Sequence, residues 1–351
     1  MNDTILNARQ NAILNLLQKE ASLSRTAIVE RLSGKYSVAP ITLLRDLTLL
    51  IDSGFVELSG KARATSYRLR ERNQCLRYFD MHTYFTQGPD ERIVKVVFDR
   101  GIFSCLPRFY TDAERRLWDA GADFLKKQKA FLNPALYKRE LERFLIDLAW
   151  KSSQIEGNTY DLIETETLLK EKIRARGHSE EEARMILNHK SAFEFMCARQ
   201  TAFRKPLTSA LIFQLHGQLT EGLGIPSGLR DQQVRITGTR YIPPSGKTKI
   251  ISLFHDVITA INSAHYPPDK ALIAMSLIAY LQPFADGNKR TSRMLSNAIL
   301  MAYEYYPLSY RNVDVTEYRK AIILLYEQNN LYHLKRICME QLRFSRDHYF
   351  H

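Results

Sequence analysis

Leu281-Gln282-Pro283-Phe284-Ala285-Asp286-Gly287-Asn288-Lys289-Arg290-Thr291-Ser292-Arg293 is the stretch on which the reading of this 351-residue chain turns. Upstream, the apolar run from Ala271 to Leu281 reads as a helix that stops at Pro283. Downstream, Met294 to Tyr303 reads as a second helix. A short polar turn holding Gly287 and Asn288 lies between them. Backbone N–H groups that open a helix are free and carry the positive end of its dipole, so such a turn can cradle an anion. Arg290 and Arg293, three positions apart, share one face of the second helix. Asp286 offers a hard carboxylate oxygen of the kind Mg²⁺ takes. The set points to a metal-bound polyphosphate. The plainer alternative is a helix–loop–helix connection with a solvated basic face.

Composition sets the frame. The chain is 45% hydrophobic and 25% charged, ordinary for a soluble globular protein, with length for two or three domains. A net charge of +12 favours nucleic acid, nucleotides or acidic proteins as partners and says nothing about fold. Four scattered cysteines without a C-x-x-C pair give no pattern for a zinc site. The N-terminus lacks a basic, apolar leader, and the longest apolar run falls short of the roughly 20 residues a bilayer needs. A cytoplasmic protein with no membrane association is expected.

Residues 1–72 read as a small domain of their own. Amphipathic helices are expected around residues 7–19, after Ser24, and from about Ala39 to Ser53. A strand over Phe55 to Leu58, a turn at Gly60 and a return strand over Ala64 to Leu69 follow. That order, with Thr42-Leu43-Leu44-Arg45-Asp46-Leu47, resembles winged helix-turn-helix transcription regulators. In that fold the third helix enters the major groove and the wing meets the backbone. Thr42 and Arg45 would face outward, and Lys61, Arg63 and Arg68 would load the wing for phosphates, making DNA a partner. A winged helix used for protein contact is the alternative.

Residues 73–135 read as a linking and packing segment. It has a turn at Gln87–Asp90, weak alternation over Ile93 to Phe98, and a Thr111–Glu114 capping box opening a helix. No chemistry is identified there. His189 and His216 read as ordinary helix histidines.

The opening stretch resembles the signature of the Fic family, His-x-Phe-x-(Asp/Glu)-Gly-Asn-(Gly/Lys)-Arg-x-x-Arg. Phe284, Asp286, Gly287, Asn288, Arg290 and Arg293 match, and Lys289 replaces the commoner glycine. The family's histidine is Gln282 here. A helix expected near 137–157 ends in Ser152, Glu156 and Gly157. Alone these are a polar helix end with a solvated carboxylate. Beside the signature they resemble the family's inhibitory motif, which implies that Glu156 pairs with Arg293 and denies it to the ATP γ-phosphate. Val234, Ile236, Gly238, Tyr241 and Pro243 are similar to the family's hairpin flap, which would dock an extended target by backbone pairing. A hairpin that merely covers the core is the alternative.

The resemblance covers roughly residues 136–310, with residues 311–351 as closing helices. It implies a mainly α, Fic-type helical fold with a β-hairpin flap, fused to the winged-helix domain. It also implies transfer of AMP from ATP to a protein Ser, Thr or Tyr hydroxyl. Asp286 would hold Mg²⁺. Gly287, Asn288 and Lys289 would cradle phosphates, Arg290 and Arg293 would bind them, and Phe284 would pack beneath. The histidine would take the hydroxyl proton, a role worth about 10²–10⁴-fold that the neutral amide of Gln282 cannot fill. ATP binding with little or no transfer is therefore expected. Other readings are a nucleotide-sensing DNA-binding regulator, removal of AMP from modified proteins, and phosphate transfer like that of Doc toxins, whose motif shares the lysine. A homodimer is an open arrangement.

Overall fold

The computed structural model describes residues 6–36, 39–60, 64–71, 73–106 and 108–350, and the chain divides into two compact units, Met1–Thr83 and Tyr84–His351. The first unit holds α1 (Ala8–Lys19), α2 (Arg25–Leu32), α3 (Pro40–Asp52), β1 (Val56–Ser59) and β2 (Ser66–Leu69). Asn7 and Gln10 close a capping box at α1, Ser24 caps α2, and Pro40 opens α3 where its missing N–H costs nothing. β1 and β2 pair antiparallel from Val56↔Leu69 to Ser59↔Ser66. Leu23, between α1 and α2, bridges Tyr67 antiparallel on the side of β2 away from β1. Ile13, Leu17, Ile28, Leu43, Leu47, Leu50, Val56 and Tyr67 form the core.

On this unit Arg45 is exposed on α3 and Thr42 is half-buried. Ile41 and Leu44 are exposed beside them. Arg68 is held across the hairpin by Glu57 at 2.7 Å, a cross-strand ion pair that engages it before any phosphate does. Lys61 and Arg63 lie outside the described residues.

A single turn, α4 (Met81–Tyr84), precedes the helices of the second unit. These are α5 (Asp112–Phe131), α6 (Pro134–Ile155), α7 (Leu162–Glu171), α8 (Glu180–Ala198), α9 (Gln200–Arg204), α10 (Ser209–Thr220), α11 (Lys247–Ser263), α12 (Pro267–Leu281), α13 (Asn288–Ala302), α14 (Val315–Gln328) and α15 (Tyr332–His348). The Thr111–Glu114 capping box opens α5, and Asn133 caps α6 with Pro134 in its first turn. Helix α12 is buried from Pro268 to Leu281, as its all-round apolar sequence requires of a central helix. Helix α13 folds back along it and is buried throughout except at Lys289. Around this pair lie α6, α9, α10, α11 and α14.

The segment from Arg230 to Pro244 departs from the expected hairpin. It turns at Thr237–Gly238, but its arms form no ladder with each other. Pro243 and Pro244 have no N–H to donate, so the return arm cannot sustain one. The arms are tied instead by the Gln233 side chain, which donates to the Pro243 carbonyl at 3.1 Å. The return arm pairs in parallel with the extended segment near Val97, where Ile242 N–H donates to Val96 O at 2.7 Å.

Candidate active site

The turn between α12 and α13 is fixed by its own residues and by two neighbours. Gln282 ends α12 in the left-handed region (φ 52°, ψ 57°), and Pro283 prevents continuation. Arg230, buried at 3% exposure, pins the turn twice. Its N–H donates to Pro283 O at 3.0 Å, and its Nε donates to Gln282 O at 2.6 Å. The fully buried Phe284 ring stacks on His216 at 3.8 Å. Phe284 N–H donates to the Asn288 side chain, which returns a bond to Phe284 O, at 2.8 and 2.9 Å.

His216 Nε2 lies 2.9 Å from Asp286 O, which can only accept, so this nitrogen carries the proton. Burial pushes the His216 pKa down, with the Asp286 carbonyl opposing, and the ring acts as a neutral donor. Gly287 takes a positive φ of 77°, and a Cβ there would meet the Thr220 methyl at 3.0 Å. Helix α13 then begins with no side chain capping it. Its first N–H groups are left without a side-chain cap, the position at which the sequence reading expects an anion cradle.

Arg290 and Arg293 are both buried. Arg290 reaches Asp286 at 3.2 Å and Leu219 O at 3.3 Å. Arg293, with 1% side-chain exposure, stands 2.9 Å from Glu156. Its Nε donates to Ser152 Oγ and its Nη2 to Ser152 O, each at 3.0 Å. Lys289 approaches Glu156 from the other side at 3.0 Å. Burial works against the Glu156 charge, but Arg293 and Lys289 overcome it and hold the carboxyl at about 2. Ser152, Glu156, Lys289 and Arg293 thus form one knot, and Gly157 follows at φ 100°.

His189 completes the knot. Its Nδ1 lies 2.8 Å from Met185 O and must donate, so Nε2, 2.8 Å from Ser152 Oγ, accepts the serine proton. Ser152 can then accept from Arg293. Burial, reinforced by Arg290 and Arg293, lowers the His189 pKa to about 3. The imidazole stays neutral, as this bonding demands.

Gln282 turns its amide back onto its own helix. Nε2 donates to Ala279 O at 2.6 Å and lies 3.3 Å from the Tyr326 hydroxyl. Asp286 remains open, with its carboxylate 71% exposed. Among the described residues no group of three or more His, Cys, Asp or Glu could ligate a metal. A single open carboxylate beside a phosphate cradle suits Mg²⁺, which keeps waters and takes phosphate oxygens.

The flap residues do different things. Val234 and Ile236 are half-buried, and Gly238 O accepts from Arg92 at 2.6 Å. Tyr241 is buried, with its hydroxyl on Tyr280 O at 2.8 Å, and Pro243 is buried as well. These last two anchor the flap in the core rather than offer it to a partner. His189 and His216 carry no signal in the sequence beyond residue type, because each acts on an element far away along the chain.

Solved structures share this fold. Fic-1 from C. elegans superposes with a TM-score of 0.57 at 19% identity, covering 67% of this chain and 71% of that one. A Fic family protein from Desulfovibrio desulfuricans gives 0.56 at 21%, covering 69% and 75%. At such identities the likeness is one of fold: mainly helical and Fic-type. Residues 206–300 match the model of the Fic/DOC family, and the chain carries a Fic domain. Curated relatives bear the name protein adenylyltransferase Fic. The one from Drosophila melanogaster is 30% identical over 182 residues, 50% of this chain and 36% of its own. The one from Nematostella vectensis is 26% identical over 199 residues, 55% and 47%. The chain spans less than half the length of these two relatives. No helix among the described residues is long and apolar enough to cross a membrane.

Proposed function

We propose that the second unit is a self-inhibited protein adenylyltransferase domain that binds ATP and, with Gln282 in place of a base, transfers AMP poorly or not at all. The observation that carries this reading is the buried Arg293, paired with Glu156 beside an uncapped helix N-terminus. A carboxylate and a phosphate compete for one guanidinium fork. Glu156 therefore stands where a γ-phosphate would make its charge-assisted bonds.

The N–H groups of Asn288, Lys289 and Arg290 bind phosphate oxygens, and Arg290 and Arg293 offset charge as it builds on the leaving pyrophosphate. Asp286 would hold Mg²⁺, which supplies further charge neutralisation when bound. The segment carrying Val234, Ile236 and Gly238 aligns the target backbone. The hydroxyl oxygen bonds to the α-phosphorus as the bridge to the β-phosphate breaks. Its proton needs an acceptor, and the amide of Gln282, tied to Ala279 O, provides none. Incubation with labelled ATP tests the reading. The chain itself should stay unlabelled, Gln282→His should label itself, and Gln282→His with Glu156→Gly should label more. A silent double variant that still binds ATP overturns AMP transfer.

The first unit suits a winged helix on DNA, with Arg45 and Thr42 of α3 toward the groove. Gln282 itself favours a second reading, a nucleotide-sensing regulator. There ATP changes duplex affinity in the chain as it stands, while both variants transfer nothing.

A further inference from the structure

A second cationic site lies behind the plug. An open cleft of about 650 Å³ runs between the last turn of α6 and the first turn of α14, and no residue of the 282–293 turn lines it. Lys151, Arg311 and Arg319 line it against the single carboxylate of Asp314. Lys151 is the unusual member. It is only 9% exposed, its ammonium bonds to the neutral amide of Gln154 at 2.9 Å, and among the described residues it makes no ion pair. A buried ammonium without a carboxylate is costly unless a counter-charge arrives. Burial pushes its pKa down, and Asp314 opposes this only in part. The Asp314 side chain is engaged in capping α14 at Glu317 N–H. Arg311 reaches out to Asp147 at 3.1 Å. Val315 and Thr316, the first residues of α14, line the same cleft.

The cleft is wired to the plug. Arg319 donates two bonds, at 2.9 and 2.7 Å, to the carbonyl of Ile155, the residue before Glu156. Lys151 and Gln154 belong to that same last turn of α6. Whatever draws Arg319 away removes both donors from the carbonyl that anchors the turn.

We propose that this cleft binds a small phosphorylated anion, and that the anion, by recruiting Lys151 and Arg319, loosens the turn that presents Glu156 to Arg293. The regulatory part rests on the inhibitory reading of Glu156; the binding part does not. Doubly charged phosphates meet the chemistry best, because Arg and Lys bond them from several directions at once. Inorganic pyrophosphate serves as the probe, titrated calorimetrically without divalent metal into the full chain. The chain should bind it, and Lys151→Gln should weaken binding by about tenfold, the value of one charge-assisted bond, while leaving ATP affinity unchanged. Hydrogen–deuterium exchange over residues 150–158 should rise with pyrophosphate. Arg319→Gln, a change at an exposed side chain, should raise it without ligand. Equal binding to both chains means that the anion sits at the α13 cradle alone and overturns the site. Exchange that stays flat with ligand, or in Arg319→Gln, overturns the coupling. Neither readout involves AMP transfer, so a failure here and a failure of the transferase reading are separable.

Discussion

Glu156 and Arg293 meet at 2.9 Å in a place where the arginine side chain is 1% exposed, and Lys289 closes the carboxylate from the other side at 3.0 Å. The arginine is thus a buried charge whose compensation is supplied by a removable residue. On the proposed reading nucleotide phosphates would offer the same compensation, which would link stability and nucleotide affinity through one side chain.

Replacing the carboxylate with its amide isolates that link. Glu156→Gln leaves Arg293 uncompensated, a loss of about 3 kcal/mol and a fall in Tm on the order of 5–10 °C. ATP should raise the Tm of this variant by more than it raises that of the parent. Differential scanning calorimetry with and without ATP measures both. An equal ATP shift in the two proteins would show that Glu156 and nucleotide do not compete.

Acid should undo the knot in two stages. His189 keeps its ring neutral down to about 3, whereas an unfolded chain protonates it near 6.5. Its folded pKa is depressed, so its contribution is complete above 6.5 and falls by about 1.4 kcal/mol per pH unit below it, until about 3. Glu156, held at about 2, loses its own contribution at lower pH, from about 4.5 down to 2. An NMR titration should find no protonation of the His189 ring between pH 8 and 5. A His189 midpoint near 6.5 in the folded protein would contradict the Nδ1–H tautomer and the Ser152 bond.

Gly287→Ala tests the geometry of the cradle. The change places a side chain at φ 77° and against Thr220 Cγ2 at 3.0 Å. It should cost about 1–3 kcal/mol and weaken ATP binding. Adding Thr220→Ser removes the methyl but not the dihedral strain, so partial recovery is expected. Full recovery in a denaturant titration would assign the whole effect to the clash.

For the first unit, gel-shift measurements on random duplex at several salt concentrations give the reading. Arg45→Ala should lower the slope of log affinity against log salt by about 1. Glu57→Gln frees Arg68 from its cross-strand partner and should tighten binding. Absence of any salt-dependent shift in the parent removes DNA from the partners of this unit.

The sequence carried the parts of the site that are local. Pro283 and Gly287 punctuate a helix–turn–helix, and the Arg290–Arg293 spacing fixes a face, all within a few residues. Pairing of Glu156 with Arg293 was legible through resemblance alone, since nothing in helix periodicity joins α6 to α13. The sequence marks Lys289 only as a backbone element of the cradle, whereas in the structure its side chain shares the carboxylate. His189 and His216 read as ordinary in the sequence because a histidine's use depends on which carbonyl or hydroxyl the fold brings to it. Here those are Ser152 and Asp286. The paired hairpin fails at its return arm, where Pro243 and Pro244 lack the N–H groups that a ladder needs.

Helix α6 gives the plug its mechanical character. Phe144, Leu148 and Ala149 are essentially inaccessible, so the helix cannot slide back as a rod without tearing open the centre of the unit. Lys151, Ser152, Ser153 and Ile155 are buried as well, so the end of the helix yields only by giving up its own packing. On the inhibitory reading of Glu156, its release would therefore be a local unfolding of the end of α6 rather than a rigid shift of the helix. Such a lock would open in proportion to how readily that last turn unfolds, so warming would favour it alongside any ligand.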